Sequence, residues 1–218
     1  MRSISKGRNV LAAAVVFVLL GASTSQAQVG AGLLDPNIAT EAQLTGLPHM
    51  TPAIVKTIIA QRPFMNIVDF NKFLLSQGLT QEQATAFYER AFIHVNLNTG
   101  TREEFLLIPR AGARMAHEFD EYRPWTSWAQ FDKEIGKYFK TNPAEVQRFK
   151  QYLFIPIDIN AASDDVLMTI PGMTSRWVRE FKEYRPWKSK EHFQKEIGKY
   201  IKDNPKEVER LWRYVVIK

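Results

Sequence analysis

Glu121-Tyr-Arg-Pro-Trp125 returns as Glu183-Tyr-Arg-Pro-Trp187, 62 residues further on. Glu134-Ile-Gly-Lys-Tyr138 and Glu196-Ile-Gly-Lys-Tyr200 keep the same offset, as do Asn142-Pro143 and Asn204-Pro205. A more divergent copy lies upstream, where Arg62-Pro63-Phe64 precedes Arg123-Pro124-Trp125 by 61 residues. The same step relates Pro48 to Pro109 and Asn37 to Asn98. A fixed offset over many residues is the mark of a repeat architecture. Three copies of about 61 residues fill the chain as 34–94, 95–156 and 157–218.

Each copy opens with a helix-start signal. Thr40, Thr101 and Ser163 occupy equivalent places. Gln43 and Glu104 follow the first two at capping-box spacing. Asp164 and Asp165 give the third an acidic first turn, which suits the helix dipole. A short apolar helix follows, through Leu44 and Leu47, Phe105 and Ile108, or Leu167 and Ile170, and ends at Pro48, Pro109 or Pro171. After a tight turn, a second helix carries Val55 and Ile58, Ala116 and Phe119, or Val178 and Phe181. The back half restarts at Phe70, Phe131 or Phe193. In copies two and three, Asn142-Pro143-Ala-Glu145 and Asn204-Pro205-Lys-Glu207 predict a capped fourth helix. Strand signals are nearly absent, and Ile155-Pro-Ile157 and Val215-Val-Ile217 read as connections. The expected fold is all-α, with about four short helices per copy, the copies stacked or strung as beads.

Residues 1–27 stand apart. Arg2, Lys6 and Arg8 precede the apolar run from Val10 to Leu20, and Ser25-Gln26-Ala27 ends in small residues. That order is the layout of an export signal, and the run is short of the roughly 20 residues that span a bilayer. The alternative is an uncleaved anchor. The expected location is periplasmic or secreted. Of the 29 basic and 23 acidic residues, the signal takes three basic ones, leaving a net +3. That permits a nucleic-acid partner without demanding one. There is no cysteine, which excludes disulfides and thiol chemistry. Stability must come from buried apolar area, and a composition 45% hydrophobic can supply it.

Val95-Asn-Leu-Asn98, followed by Thr101-Arg-Glu-Glu-Phe105-Leu-Leu-Ile108-Pro109, resembles the competence DNA-uptake receptor (ComEA) type of helix-hairpin-helix domain. Asp158-Ile-Asn160 through Ile170-Pro171-Gly172-Met173 resembles it more closely, and the first copy through Asn37, Leu44 and Gln61-Arg62. The resemblance implies binding of DNA without sequence preference, by hairpin backbone amides that meet phosphates. A turn feeding a helix N-terminus presents free N–H donors and the positive end of a dipole. The family's hairpin reads glycine, apolar residue, glycine. Here the three read His49-Met50-Thr51, Arg110-Ala111-Gly112 and Gly172-Met173-Thr174, so none keeps both glycines. The small extrinsic subunit of photosystem II resembles the same unit and implies the alternative, a protein-docking piece of a complex at the membrane surface.

The candidate DNA-binding residues are therefore Arg110, Ala111, Gly112 and Arg114 in copy two, and Gly172, Met173, Thr174, Arg176 and Arg179 in copy three. Net charge rises from −1 (residues 28–93) to +1 (94–157) and +3 (158–218), which favours the third copy. Tyr122, Trp125, Trp128, Tyr184 and Trp187 read either as base-stacking rings or as core aromatics closing each repeat. The lysines from Lys188 to Lys206 alternate with acids, as a solvated helix face does, or converge into a basic stripe. His49, His94, His117 and His192 occupy no equivalent positions and have no metal-ligand spacing. No nucleophile elbow or phosphate-cradling glycine loop is present. The reading is a non-catalytic protein with no metal and no cofactor.

Overall fold

A computed structural model describes residues 28–202 and 204–218; the export signal expected over residues 1–27 lies outside the described residues. The chain is mostly α-helical, and among the described residues twelve helices follow in three sets of four. The first set is α1 (Glu41–Thr45), α2 (Pro52–Gln61), α3 (Ile67–Ser76) and α4 (Gln81–Tyr88). The second is α5 (Arg102–Leu106), α6 (Gly112–Glu121), α7 (Trp128–Gly136) and α8 (Pro143–Lys150). The third is α9 (Asp164–Leu167), α10 (Ser175–Glu183), α11 (Lys190–Gly198) and α12 (Pro205–Trp212). The start signals act locally. Thr40 and Thr101 form full capping boxes with Gln43 and Glu104, and Ser163 accepts from the Val166 amide. Asn204 caps α12 through the Glu207 amide, whereas Asn142 makes no side-chain cap bond.

The Arg-Pro-aromatic motif is the internal tie of every repeat. Asn98 Nδ2 donates to the Trp125 carbonyl at 2.9 Å, and the Trp125 amide donates back to Asn98 Oδ1 at 2.6 Å. Asn160 does the same with Trp187, at 3.0 and 2.7 Å, and Asn37 with Phe64, at 3.0 and 2.7 Å. The arginine before each proline reaches back to the same opening segment. Arg123 Nε donates to the Leu97 carbonyl at 2.7 Å, Arg185 Nε to that of Ile159 at 2.7 Å, and Arg62 Nη2 to that of Ala39 at 2.7 Å. The three Arg–Pro peptides are cis. Trp125 and Trp187 are each 1% exposed, and their indole N–H groups donate to Phe119 and Phe181 carbonyls. They are core aromatics with no free face for a base.

The segments expected to be plain connections are short strands. In repeat two, β1 (Val95–Asn96) pairs in parallel with β2 (Leu153–Phe154). In repeat three, β3 (Ile157–Asp158) pairs in parallel with β4 (Val215–Val216). A single parallel bridge, Leu34 to Ala91, takes their place in repeat one. Each repeat thus returns its end to its own beginning. Two residues per strand are too few to show a periodicity, which is why sequence patterning misses them.

The repeats are not beads. One apolar cluster runs without a break from Ala39 to Ile155, so repeats one and two share a core. The Phe92 and Tyr152 rings meet across it edge-to-face at 5.0 Å. Repeat three has its own cluster, which takes in Val29 and Phe154 from outside the repeat. Phe154 lies 4.7 Å from the Tyr214 ring. Polar ties close the seam: Tyr214 Oη donates to Asp35 Oδ2 at 3.4 Å, and Arg213 Nη2 to the His94 carbonyl at 3.1 Å.

Replacing Asn98 by alanine would leave the Trp125 amide and carbonyl without partners in a half-buried site. The expected cost is about 2–3 kcal/mol, seen as a lower urea midpoint at unchanged slope. A loss below about 0.5 kcal/mol would mean that water replaces the tie.

Candidate functional site

The hairpin turns share the conformation of their first residue in spite of different side chains, whereas at the third residue Gly112 takes φ of 64° against −96° for Thr51 and −130° for Thr174. His49, Arg110 and Gly172 take φ of 61°, 61° and 80°, so all three lie in the left-handed region. That region favours glycine, and side-chain-bearing residues are placed there at a cost of roughly 1–2 kcal/mol. The following residue, Met50, Ala111 or Met173, is buried and donates back across the turn, at 3.3, 3.0 and 2.9 Å, to Leu47, Ile108 and Ile170 carbonyls. Ala111 and Met173 are therefore anchors whose amides are already bonded within the turn, so they offer an anion neither side chain nor N–H.

What differs is the number of amides left open. In repeat one, Pro52 at the first helical position has no N–H, and Thr51 caps the Ile54 amide, so of the first three positions only Ala53 is open. In repeat three, Thr174 caps the Trp177 amide, leaving those of Ser175 and Arg176. In repeat two, Ala111 has no side-chain acceptor and makes no cap bond. The first-turn amides of Gly112, Ala113 and Arg114 are then uncapped and all three residues are exposed. The hairpin that charge alone ranks second presents the most open donors.

The arginines separate into two groups. Arg110 is spent on carboxylates, Glu89 at 3.2 Å and Glu145 at 3.6 Å, and so bridges repeats one and two. Arg179 lies 3.5 Å from Glu180 and lines a groove of about 510 Å3 with Asp164, Met168, Val178, Lys182 and Glu183. Arg114 and Arg176 have no carboxylate ion pair among the described residues. Each lies over a tyrosine: Arg114 Cζ is 4.8 Å from the Tyr138 ring centre, and Arg176 Cζ 5.8 Å from that of Tyr200. The rings are held in turn. Tyr138 Oη donates to Glu118 at 2.6 Å and lies 3.1 Å from Tyr122 Oη, and Tyr200 Oη lies 3.0 Å from Tyr184 Oη. These hydrogen bonds, from Glu118 first for Tyr138 and from Tyr184 first for Tyr200, push both phenols up, so they stay protonated. Repeat one has Ala53, Thr57 and Gln77 at the corresponding places, so arginine and tyrosine are absent together.

A further pair of residues escaped the sequence reading. Arg148 Nη1 donates to the Pro109 carbonyl at 2.8 Å, and Arg210 Nη1 to that of Pro171 at 2.9 Å. Each holds the back of its hairpin while pairing with Glu145 or Glu207 at 2.9 or 2.7 Å. Arg210 is 1% exposed. Burial works against its charge, but Glu207, with Tyr214 and Asp35, more than offsets this and holds the guanidinium above its ordinary value. Their equal spacing of 62 residues was the available signal. Of the copy-three lysines, Lys190 pairs with Glu209 at 2.6 Å and Lys199 with Glu196, while Lys188, Lys195, Lys202 and Lys206 are exposed. Among the described residues no group of three His, Asp or Glu side chains converges as metal ligands would.

Compared with protein-family models, with curated proteins and with solved structures, the chain finds no match.

The third hairpin is in part covered by repeat one, and this can be measured. A methyl group on Gly172 would meet Ile38 Cγ2 at 3.0 Å and Arg210 Nη2 at 3.2 Å, whereas one on Gly112 meets nothing within 4 Å. Both positions have positive φ, so both alanine variants should lose about 1 kcal/mol. Gly172→Ala should lose roughly 1 kcal/mol more, because overpacking is added. Equal losses in thermal unfolding would show that Ile38 does not press on that turn.

Proposed function

We propose that this chain is an exported, non-catalytic protein of tandem helix-hairpin-helix units that binds DNA without reading its sequence. One observation carries the reading. Arg114 and Arg176 stand at equivalent places, exposed and without a carboxylate ion pair among the described residues, beside the open first-turn amides of α6 and α10. Amides at a helix start and a cation beside them suit a phosphate, and contacts to phosphate carry no sequence information. The emphasis moves from the third hairpin to the second and third together, since Thr174 takes one donor and Glu180 faces Arg179. Export rests on residues 1–27; among the described residues no helix is long and apolar enough to cross a membrane.

Only a few phosphates can be met by two such sites, so binding should be weak and salt-sensitive. With about four contacts, affinity for duplex DNA should fall roughly 100-fold between about 50 and about 200 mM salt. Arg114→Glu combined with Arg176→Glu should reduce binding at least tenfold in a gel shift at low salt, with unchanged circular dichroism. Arg179→Glu should change it less than threefold. Undiminished binding in the double variant would overturn the assigned sites.

A second reading, docking to a protein complex at the membrane surface, is favoured by a different observation. Leu106 and Met168 occupy equivalent places at the ends of the first helices of repeats two and three, each 46% exposed. Large apolar side chains left in solvent at matching places suit a protein partner. Leu106→Lys with Met168→Lys should then abolish recovery of a membrane-associated complex and leave DNA binding intact. If recovery persists in that variant, the docking reading fails.

A further inference from the structure

His94 lies where all three repeats meet, 2% exposed, and neither ring nitrogen has a hydrogen-bond partner. Buried polar atoms are nearly always paired, and an unpaired one costs free energy, so an imbalance of this kind calls for a reason. Asp35 faces the ring from repeat one, and the Gly30 backbone approaches from the segment before it. From repeat two comes the backbone of Gln151, and from repeat three comes Arg213. The Gly30 and Gln151 backbones lie close enough to favour a protonated ring, although neither ring nitrogen is bonded to them as the joint stands. Arg213 grips the His94 carbonyl with Nη2, while its Nη1 is buried without a partner. Next to it, Tyr214 is fully buried against Asp35, and Arg210 adds a second positive charge on that side.

We propose that this joint is a proton-operated latch: with the His94 ring neutral the third repeat stays docked on the first two, and with the ring protonated the joint opens. The geometry supplies the mechanism. A protonated ring would need an anion, and Asp35 is the acid facing it. Asp35 Oδ1 already accepts the Asn37 amide at 2.8 Å, and Oδ2 accepts Tyr214 Oη at 3.4 Å, the longer and weaker bond. Turning Asp35 toward a cationic ring gives up Tyr214, one of the two polar ties between repeats one and three. Arg213 meanwhile meets a like charge, which weakens its hold on the His94 carbonyl.

The direction in pH follows. Burial, opposed by Asp35 and by the Gly30 and Gln151 backbones and reinforced by Arg213, pushes the His94 imidazole below its ordinary value. The unfolded or undocked chain then takes up the proton first. Docking is at full strength above about pH 6.5 and weakens as pH falls below it.

Small-angle scattering of the full chain at about pH 7.5 and about pH 5 tests this. The wild type should show a larger radius of gyration at the lower pH, and His94→Gln should show the same radius at both. His192→Gln, which removes a half-buried histidine away from the joint, should behave as the wild type does. Equal expansion of wild type and His94→Gln, or no expansion of the wild type, would overturn the latch. Should His94→Gln fail to fold, a histidine titration by magnetic resonance on the wild type decides instead. A ring that titrates at or above its ordinary value, or that titrates while Tyr214 signals stay fixed, overturns the proposal equally.

Discussion

The asparagine that opens each repeat, joined to the backbone of the aromatic residue 27 positions later, is the constraint on which the rest depends. An amide side chain offers one donor and one acceptor, the same pair a backbone peptide offers. It can therefore close a two-bond ring with a peptide far away in sequence. That ring places the aromatic residue over the core and brings the arginine two residues before it within reach of the opening carbonyls. Two helices and the turn between them lie inside the loop so closed. The hairpin shape is thus set from outside the hairpin, and His49 and Arg110 can be held at a left-handed φ that favours glycine.

This explains how the turns hold a left-handed first residue that need not be glycine. The anchoring residue is buried in each case, and in repeats two and three an arginine from the last helix holds the proline carbonyl behind the turn. What the different turn residues change is the surface presented. A threonine after the turn takes up an amide with its own hydroxyl, as at Thr51 and Thr174, and a proline deletes one, as at Pro52. Repeat one has both residues, and its core is shared with repeat two. Repeats two and three retain an arginine without a carboxylate ion pair among the described residues, carried on a tyrosine whose hydroxyl is itself tied down.

Charge behaves as this arrangement requires. Counting residues by copy places the positive excess in repeat three, yet many of its cations are neutralised locally: Lys182 on Asp164, Lys190 on Glu209, Lys199 on Glu196, Arg210 on Glu207. A net charge is a sum over a surface, while a phosphate meets individual groups within a few ångströms. Local pairing therefore decides which arginines count, and exposed pairs of this kind add little to stability in return.

The sequence by itself determined the repeat and its four-helix content, because caps, prolines and apolar spacing act within a few residues. It also marked the Arg-Pro-aromatic motif as common to the repeats, since recurrence at one offset needs no knowledge of contacts, but left open whether its rings stack on bases or close the core. Only the tertiary structure decided that Leu153–Phe154 and Val215–Val216 are strands, that repeats one and two share a core, and that Ile38 presses on Gly172. The pairing of Arg110 and Arg179 with carboxylates, the tyrosine under Arg114 and the junction around His94 belong to the same group. The reason is common to all of them: each joins residues that lie far apart in the chain or whose side chains have several places to go. Which contact forms is then settled by how the repeats pack, and a single sequence carries no local mark of that choice.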